Sequence, residues 1–372
     1  MSPVSPAAEA TLRQTGRQCA RSIRRTFAAH LPLYLCSLVF CGLTLAFAAA
    51  WRLPLSLSPS LVFIETIPQF LMLAVGLAAA AELLRLFRSG SADPLRALWR
   101  WLHSKVFAED RPGNVFHSLV TFTPLMIAFS ALKDEIPRIH PFAWDQAFTQ
   151  WDKMLGFGEL PWRILQPVLG YPAITAGLNF FYDFWFVVMF GALLWQAFAP
   201  RGSILRTQFL LAFAFSWFIA GNVLAVIFSS AGPCFYGHFF TQNPYAEQMD
   251  YLRAVAAHWP VWSIRVQDLL WHSYATGSGT ISGISAMPSM HVIVAVLVAL
   301  LGWRHDRRLG TALWLFAGVI VIGSVHLAWH YAVDAFAGIA LAWIFWRVAG
   351  LIARAEARQR RTAEPPAEPV TA

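Results

Sequence analysis

Charge is what this sequence has least of: Asp, Glu, Lys and Arg together make up only 13% of its 372 residues, against about 25% in a typical soluble domain. A soluble globular fold is thereby excluded. Cysteine is scarce too, four in all at positions 19, 36, 41 and 234, too few and too scattered for a disulfide framework or a metal-ligand cluster. Lysine is nearly missing, with Lys105, Lys133 and Lys153 leaving 25 arginines among the 28 basic residues, a usage that suits a GC-rich bacterial genome. The first 30 residues are polar and Arg-rich and lack a short apolar core followed by a small-residue cleavage site. The first apolar span is therefore expected to double as the insertion signal. No internal repeat at a fixed period is found.

What the chain has instead is apolar surface, 57% hydrophobic residues with 17 Trp. Stretches long enough to cross a hydrocarbon core, which takes roughly 20 helical residues, lie at about 31–51, 61–84, 114–132, 171–198, 207–231, 288–303, 311–329 and 330–348. The expected fold is an all-α integral membrane protein of about eight transmembrane helices. A basic cytoplasmic segment at 1–30 precedes the membrane domain at 31–350, and a disordered cytoplasmic tail follows at 351–372, rich in Pro, Glu and Ala toward its end.

Orientation follows from the basic residues, because positively charged loops stay cytoplasmic. With the N-terminus inside, 21 of the 28 Lys and Arg residues fall on the cytoplasmic side, and only Arg52, Lys133, Arg138, Lys153, Arg163, Arg253 and Arg265 lie outside. Both ends of the chain are then cytoplasmic. The formal charge of +8 reads as topology and as contact with anionic membrane lipids rather than as nucleic-acid binding. The run from Lys105 to Pro112 fits a cytoplasmic loop better than a phosphate clamp. The long connections are all outer ones. Lys133 to Tyr171 carries Trp144, Trp151 and Trp162 and is expected to lie along the interface as one or two amphipathic helices, and Gly232 to Ser285 ends in a Gly/Ser-rich stretch from Thr276 to Ser285.

Two segments carry the chemistry, Ala286-Met287-Pro288-Ser289-Met290-His291 and His330-Tyr331-Ala332-Val333-Asp334. Each opens an apolar run at the same membrane face. Pro288 suits the first position of a helix, where its missing N–H costs nothing. The amides of Ser289, Met290 and His291 would then be left free, with the helix dipole behind them, as an anion site for a phosphate. Ser289 adds a hydroxyl. His330 and Asp334, four apart, would share one helix face. A carboxylate that accepts one ring N–H leaves the other imidazole nitrogen as a lone pair able to attack phosphorus. His326, one turn earlier, is a further phosphate donor. Two histidines and a carboxylate meeting at one face form a constellation for phosphoryl transfer through a phosphohistidine. Asn179 and Asp183, four apart and deep in the fourth span, read as structural, touching a polar residue such as Asn222 across the bundle, with contact to a polar headgroup as the alternative.

These segments resemble the second and third signature motifs of the type 2 phosphatidic acid phosphatase superfamily. Pro288-Ser289-Met290-His291 and His330-Tyr331-x-x-Asp334 are most similar to the branch containing inositol phosphorylceramide synthase and its bacterial relatives. The likeness extends through Trp151-Asp152-Lys153-Met154-Leu155-Gly156-Phe157-Gly158 and Ser230-Ala231-Gly232-Pro233, about residues 140–345 in all. It implies His330 as nucleophile, Asp334 as its orienting partner and His291 as general acid. Two features depart from the phosphatases. Gly323-Ser324 stands where they carry Ser-Arg six residues before the nucleophile, and their Lys and Arg-Pro motif has no counterpart on the active-site face. The inositol-transferring branch shares both absences. The source of positive charge for the phosphate is left to Arg253, Arg265 and His326.

The expected protein is a multi-pass enzyme of the bacterial inner membrane with its site facing the periplasm. Its substrate is a lipid phosphate, its second partner an alcohol acceptor, and the chemistry calls for no metal or cofactor. A plain lipid phosphate phosphatase is the alternative within enzymes. A haem-binding or transport protein is the alternative outside them, since histidines in a helical bundle also serve those ends.

Overall fold

The computed structural model describes residues 6–55, 58–106, 108, 110–200, 203–277 and 283–363. Among these every regular element is helical. The principal helices are α1 (Pro6–Trp51), α2 (Ser58–Arg88), α3 (Pro94–Val106), α4 (Arg111–Lys133), α5 (Asp145–Leu155), α6 (Pro161–Leu169), α7 (Pro172–Ala197) and α8 (Ile204–Ile227). They continue with α9 (Ala246–Ala256), α10 (Trp262–Thr276), α11 (Met290–His305), α12 (Arg307–His326) and α13 (Ala332–Ala363).

Among the described residues six helices are long and apolar enough to cross a membrane, within α1, α4, α7, α8, α12 and α13. Two more of the eight expected stretches also form helices. One is α11, with 16 residues. The other is α2, which covers 61–84 but whose side chains lie in part outside the described residues. The chain is therefore a multi-pass membrane protein.

Helix α1 reaches back to Pro6, so the described part of the basic N-terminal segment is continuous with the helix of the first span. Helix α13 continues to Ala363, which makes the first part of the expected tail from 351 helical as well; residues 364–372 lie outside the described residues. The connection after α4 forms two helices, α5 and α6, each with one apolar and one polar face, in line with the one or two amphipathic helices expected there.

Helix α11 is the axis of the bundle, packed by α12, α13, α7 and α8. From Val292 to Gly302 every residue is buried. A helix apolar on all sides belongs inside a protein, and that explains why the shortest of the expected spans occupies the centre. Midway along α8, residues Ser216–Leu224 widen into a π-helical turn, a feature that often re-aims side chains near functional sites. There Gly221 leaves room for the Phe129 ring, which a Cβ would meet at 2.7 Å.

Candidate active site

At the head of α11 and α13, on the end of the bundle away from Arg111, Arg206 and Arg307, lies a cavity of about 310 Å³. Lys133, Asp183, Trp185, Met290, His291 and His330 are among its lining residues. The two histidines expected to act together do meet, with ring centroids 6.3 Å apart.

His330 is not on a helix. The segment 327–331 is a turn between α12 and α13, with Ala328 held at a left-handed φ of 60°. The Ser324 carbonyl accepts from the Trp329 and His330 amides at 3.1 and 3.0 Å, which fixes the turn. From there His330 Nδ1 donates to the Ala286 carbonyl at 2.7 Å, while Asp334 Oδ2 stands 3.4 Å from the same nitrogen. A carbonyl can only accept, so the proton sits on Nδ1. Nε2 is left with no hydrogen bond among the described residues, on a ring that lines the cavity. The expected pairing of His330 with Asp334 is thus present, with the backbone as the closer partner. Asp334 also accepts from the Tyr331 amide at 3.0 Å, is fully buried, and keeps Oδ1 unpaired.

His291 lies in the first turn of α11, stacked on the Tyr182 ring with centroids 4.4 Å apart and against Trp185 at 4.3 Å. The Trp185 indole N–H donates to the His291 carbonyl at 2.9 Å and ties α7 to this turn. Pro288 does not begin the helix. Ser289 is the N-cap instead, its hydroxyl accepting from the Val292 amide at 3.4 Å. Ser289 is fully buried and outside the cavity lining, whereas Met290 lines it.

The three candidates for phosphate-neutralising charge stand elsewhere. Arg253 pairs with Asp268 at 2.9 Å on the surface. Arg265 is exposed on α10 and does not line the cavity. His326 Nε2 bonds the Thr175 hydroxyl at 2.9 Å, which in turn meets Tyr251 at 2.7 Å, a buried link joining α7, α9 and α12 outside the cavity. The cation in the cavity is Lys133, the last residue of α4. It was missed because it lies far from both motifs in sequence and counts among outer-loop charges. Ser324 is fully buried, and its carbonyl, not its side chain, is what reaches the site.

Two buried carboxylates brace the site from α5. Asp145 accepts from the Ala231 and Gly232 amides at 2.9 and 2.8 Å and from the Tyr331 hydroxyl at 2.7 Å. Asp152 accepts from the Ala332 and Val333 amides at 2.9 and 3.0 Å, the free N–H groups at the start of α13. Burial pushes the Asp152 carboxyl up to about 7 against the pull of those two bonds, and raises Asp145 as well. Gly232, at a φ of 98°, lets the second loop come close, since a Cβ would meet the Trp329 carbonyl at 3.0 Å. The same loop holds the other motif: Ala286 N donates to the Ser230 carbonyl at 2.9 Å and Met287 N to the Ser230 hydroxyl at 3.2 Å. One carboxylate and one loop thus hold both motif segments in place.

Among the described residues no cluster of three or more His, Cys, Asp or Glu could hold a metal ion. Burial among apolar groups pushes the Cys234 thiol far above its ordinary range, so this cysteine is a poor target for thiol reagents. A protein-family model described as the PAP2 superfamily matches residues 146–348. That span includes His291, His330 and Asp334 and leaves Lys133 outside. No curated protein and no solved structure matches the chain.

Proposed function

Because the chain belongs to the PAP2 superfamily, whose members are phosphatase or phosphotransferase enzymes acting on lipid phosphates, we propose that it transfers a phosphoryl group of a membrane lipid through His330. The supporting observation is the bare Nε2 of His330, with Nδ1 committed to the Ala286 carbonyl and Asp334, on a ring that shares the cavity with His291 and Lys133. His330 Nε2 attacks phosphorus while the bond to the leaving alcohol breaks. His291 takes up a proton as the anionic phosphate binds in the cavity and gives it to that oxygen. The phosphohistidine is then attacked by water or by an acceptor alcohol, whose proton returns to His291. Asp334 holds the positive charge that His330 carries on the way.

Lys133 is the one Lys or Arg in the cavity lining among the described residues, which favours a phosphodiester. Lys133 balances one negative charge, and Ser324 supplies none where the phosphatases have a guanidinium. Transfer to an alcohol, as in the inositol phosphorylceramide synthase branch, follows from that reading. Hydrolysis of a phosphomonoester is the alternative. The 21 to 7 distribution of basic residues supports a site opening to the periplasm from the inner membrane.

The test is to trap the intermediate. Purified protein is incubated with a ³²P-labelled lipid phosphate and denatured in alkali, which preserves phosphohistidine. Label is expected on the wild type and on none of the His330→Ala protein, and vanadate, a mimic of pentacoordinate phosphorus, is expected to inhibit. Undiminished labelling of His330→Ala ends this mechanism.

A further inference from the structure

One group in the cavity is at odds with a pocket built only for phosphate. Asp183, on α7 next to the Tyr182 ring that stacks on His291, puts a carboxylate into the lining. Its Oδ2 accepts from the Asn179 amide at 2.8 Å. Its Oδ1 has no hydrogen-bond partner among the described residues, and the residue lines the cavity. Asn179 does not need a carboxylate to hold it. It is fully buried and already anchored, its own oxygen accepting from the Ser263 amide at 3.0 Å. A neutral acceptor at 183 would serve that contact equally, and a carboxylate within a span is costly to keep.

We propose that Asp183 binds a hydroxyl of the alcohol that is esterified to, or attacks, the phosphorus at His330, and so selects an alcohol with at least two hydroxyls. The inference rests on the function proposed above. A phosphate oxygen cannot be its partner, because two anions would face each other. The reacting hydroxyl belongs to His291, whose proton it exchanges. An acceptor in the same cavity therefore addresses a second hydroxyl on the same alcohol. A hydroxyl donates to a carboxylate in a charge-assisted bond. Lys133, on the same cavity wall, opposes an ammonium headgroup and complements the phosphate. Lys133 and Asp183 are the one basic and the one acidic side chain, histidines aside, of the lining among the described residues, and they divide the substrate between them, one taking the phosphate and the other the polyol.

Competition within one reaction mixture tests this without reliance on absolute rates. Phosphatidylglycerol and phosphatidylpropanol with identical acyl chains are supplied as equimolar donors. In a second arm glycerol and 1-propanol compete as acceptors of the phosphoryl group from one lipid donor. The wild type is expected to favour the polyol in at least one arm by about tenfold or more, the range of one hydrogen bond to a charged group. Asp183→Leu should bring that ratio close to one, and Asp183→Asn, which keeps an acceptor oxygen, should retain part of it. A wild type with no polyol preference in either arm overturns the proposal, and so does a preference that Asp183→Leu leaves intact. Preference for phosphatidylethanolamine over phosphatidylglycerol, lost in Asp183→Leu, overturns it in favour of an ammonium site. A wild type that turns over no lipid phosphate at all overturns the underlying function as well, which separates the two failures.

Discussion

Replacing Asp152 by Asn removes one arm of the brace beneath the dyad while leaving the side-chain shape unchanged. The carboxylate takes the Ala332 and Val333 amides at 2.9 and 3.0 Å. A carboxamide keeps one acceptor oxygen and turns an NH₂ toward the other amide. One hydrogen bond to a charged group, about 1.5–3 kcal/mol, is lost and a buried N–H goes unpaired. About 2 kcal/mol placed on the start of α13 corresponds to roughly thirtyfold in the population of the competent geometry. The effect carries a pH signature, because the Asp152 carboxyl is pushed up to about 7 by burial. Folded protein keeps a proton that the unfolded chain, with an ordinary value near 3.9, has released. The contribution of this group to stability is therefore full below about pH 4 and is lost as pH rises toward 7, on the order of 4 kcal/mol in all. Geometry runs the other way, since above pH 7 both oxygens are free to accept. The wild type should outpace Asp152→Asn by about thirtyfold at pH 8.5, with the gap closing by pH 5.5. Over the same range the melting temperature of the wild type should fall relative to the variant. Initial rates and thermal unfolding of both proteins in one detergent, taken as ratios so that other titrating groups cancel, decide the matter. Equal rates at pH 8.5, or a gap that does not change with pH, would refute the reasoning.

Asp334→Asn should lower kcat by about 10²- to 10³-fold, short of the ~10⁴ seen where a carboxylate is the only partner of the catalytic histidine, because the Ala286 carbonyl still holds the Nδ1 proton; a loss under fivefold in single-turnover kinetics would remove Asp334 from the mechanism. Lys133→Gln should raise KM for a lipid phosphate and cut kcat/KM by about 10- to 100-fold, the worth of a charge-assisted contact, and unchanged kcat/KM would send the search for the neutralising cation elsewhere. Gly232→Ala forces a Cβ to within 3.0 Å of the Trp329 carbonyl at a φ of 98°; at least 1–2 kcal/mol of strain is expected, read as a lower melting temperature together with lost turnover. For orientation, Thr241→Cys in an otherwise cysteine-free chain offers an exposed outer-loop thiol, which a membrane-impermeant maleimide should label in spheroplasts. Labelling only after lysis would turn the site to the cytoplasm.

Hydropathy alone located the six helices that are long and apolar enough to cross a membrane among the described residues, because each has to present apolar side chains to lipid or to its neighbours. The motif histidines were legible for a different reason: a carboxylate four residues from a histidine at a span's edge is costly unless it is used. His330 was misassigned to a helix although the seventh and eighth expected spans abut at 329 and 330, which leaves no residues for the reversal between them. That abutment was the available signal for a turn there. Lys133, Asp145 and Asp152 act across more than 140 residues of sequence on groups near 291 and 332, and no local pattern encodes such contacts. The π-helical turn of α8 was illegible as well; its Gly221 packs against the Phe129 ring on another helix.

Helix α11, sheathed by its neighbours, never has to match the bilayer. Its residues are under the rules of a globular interior, where volume matters more than hydropathy. Trimming Ile293 to Ala should cost about 2–5 kcal/mol as a cavity, while an exchange of equal volume would pass almost unnoticed. Lipid thickness can reach the chemistry only indirectly, through the tilt of α4, α7 and the other helices that do meet lipid. Of the groups that line the cavity, His291 thus stands on a part insulated from lipid, while Lys133 and Asp183 stand on helices that meet it.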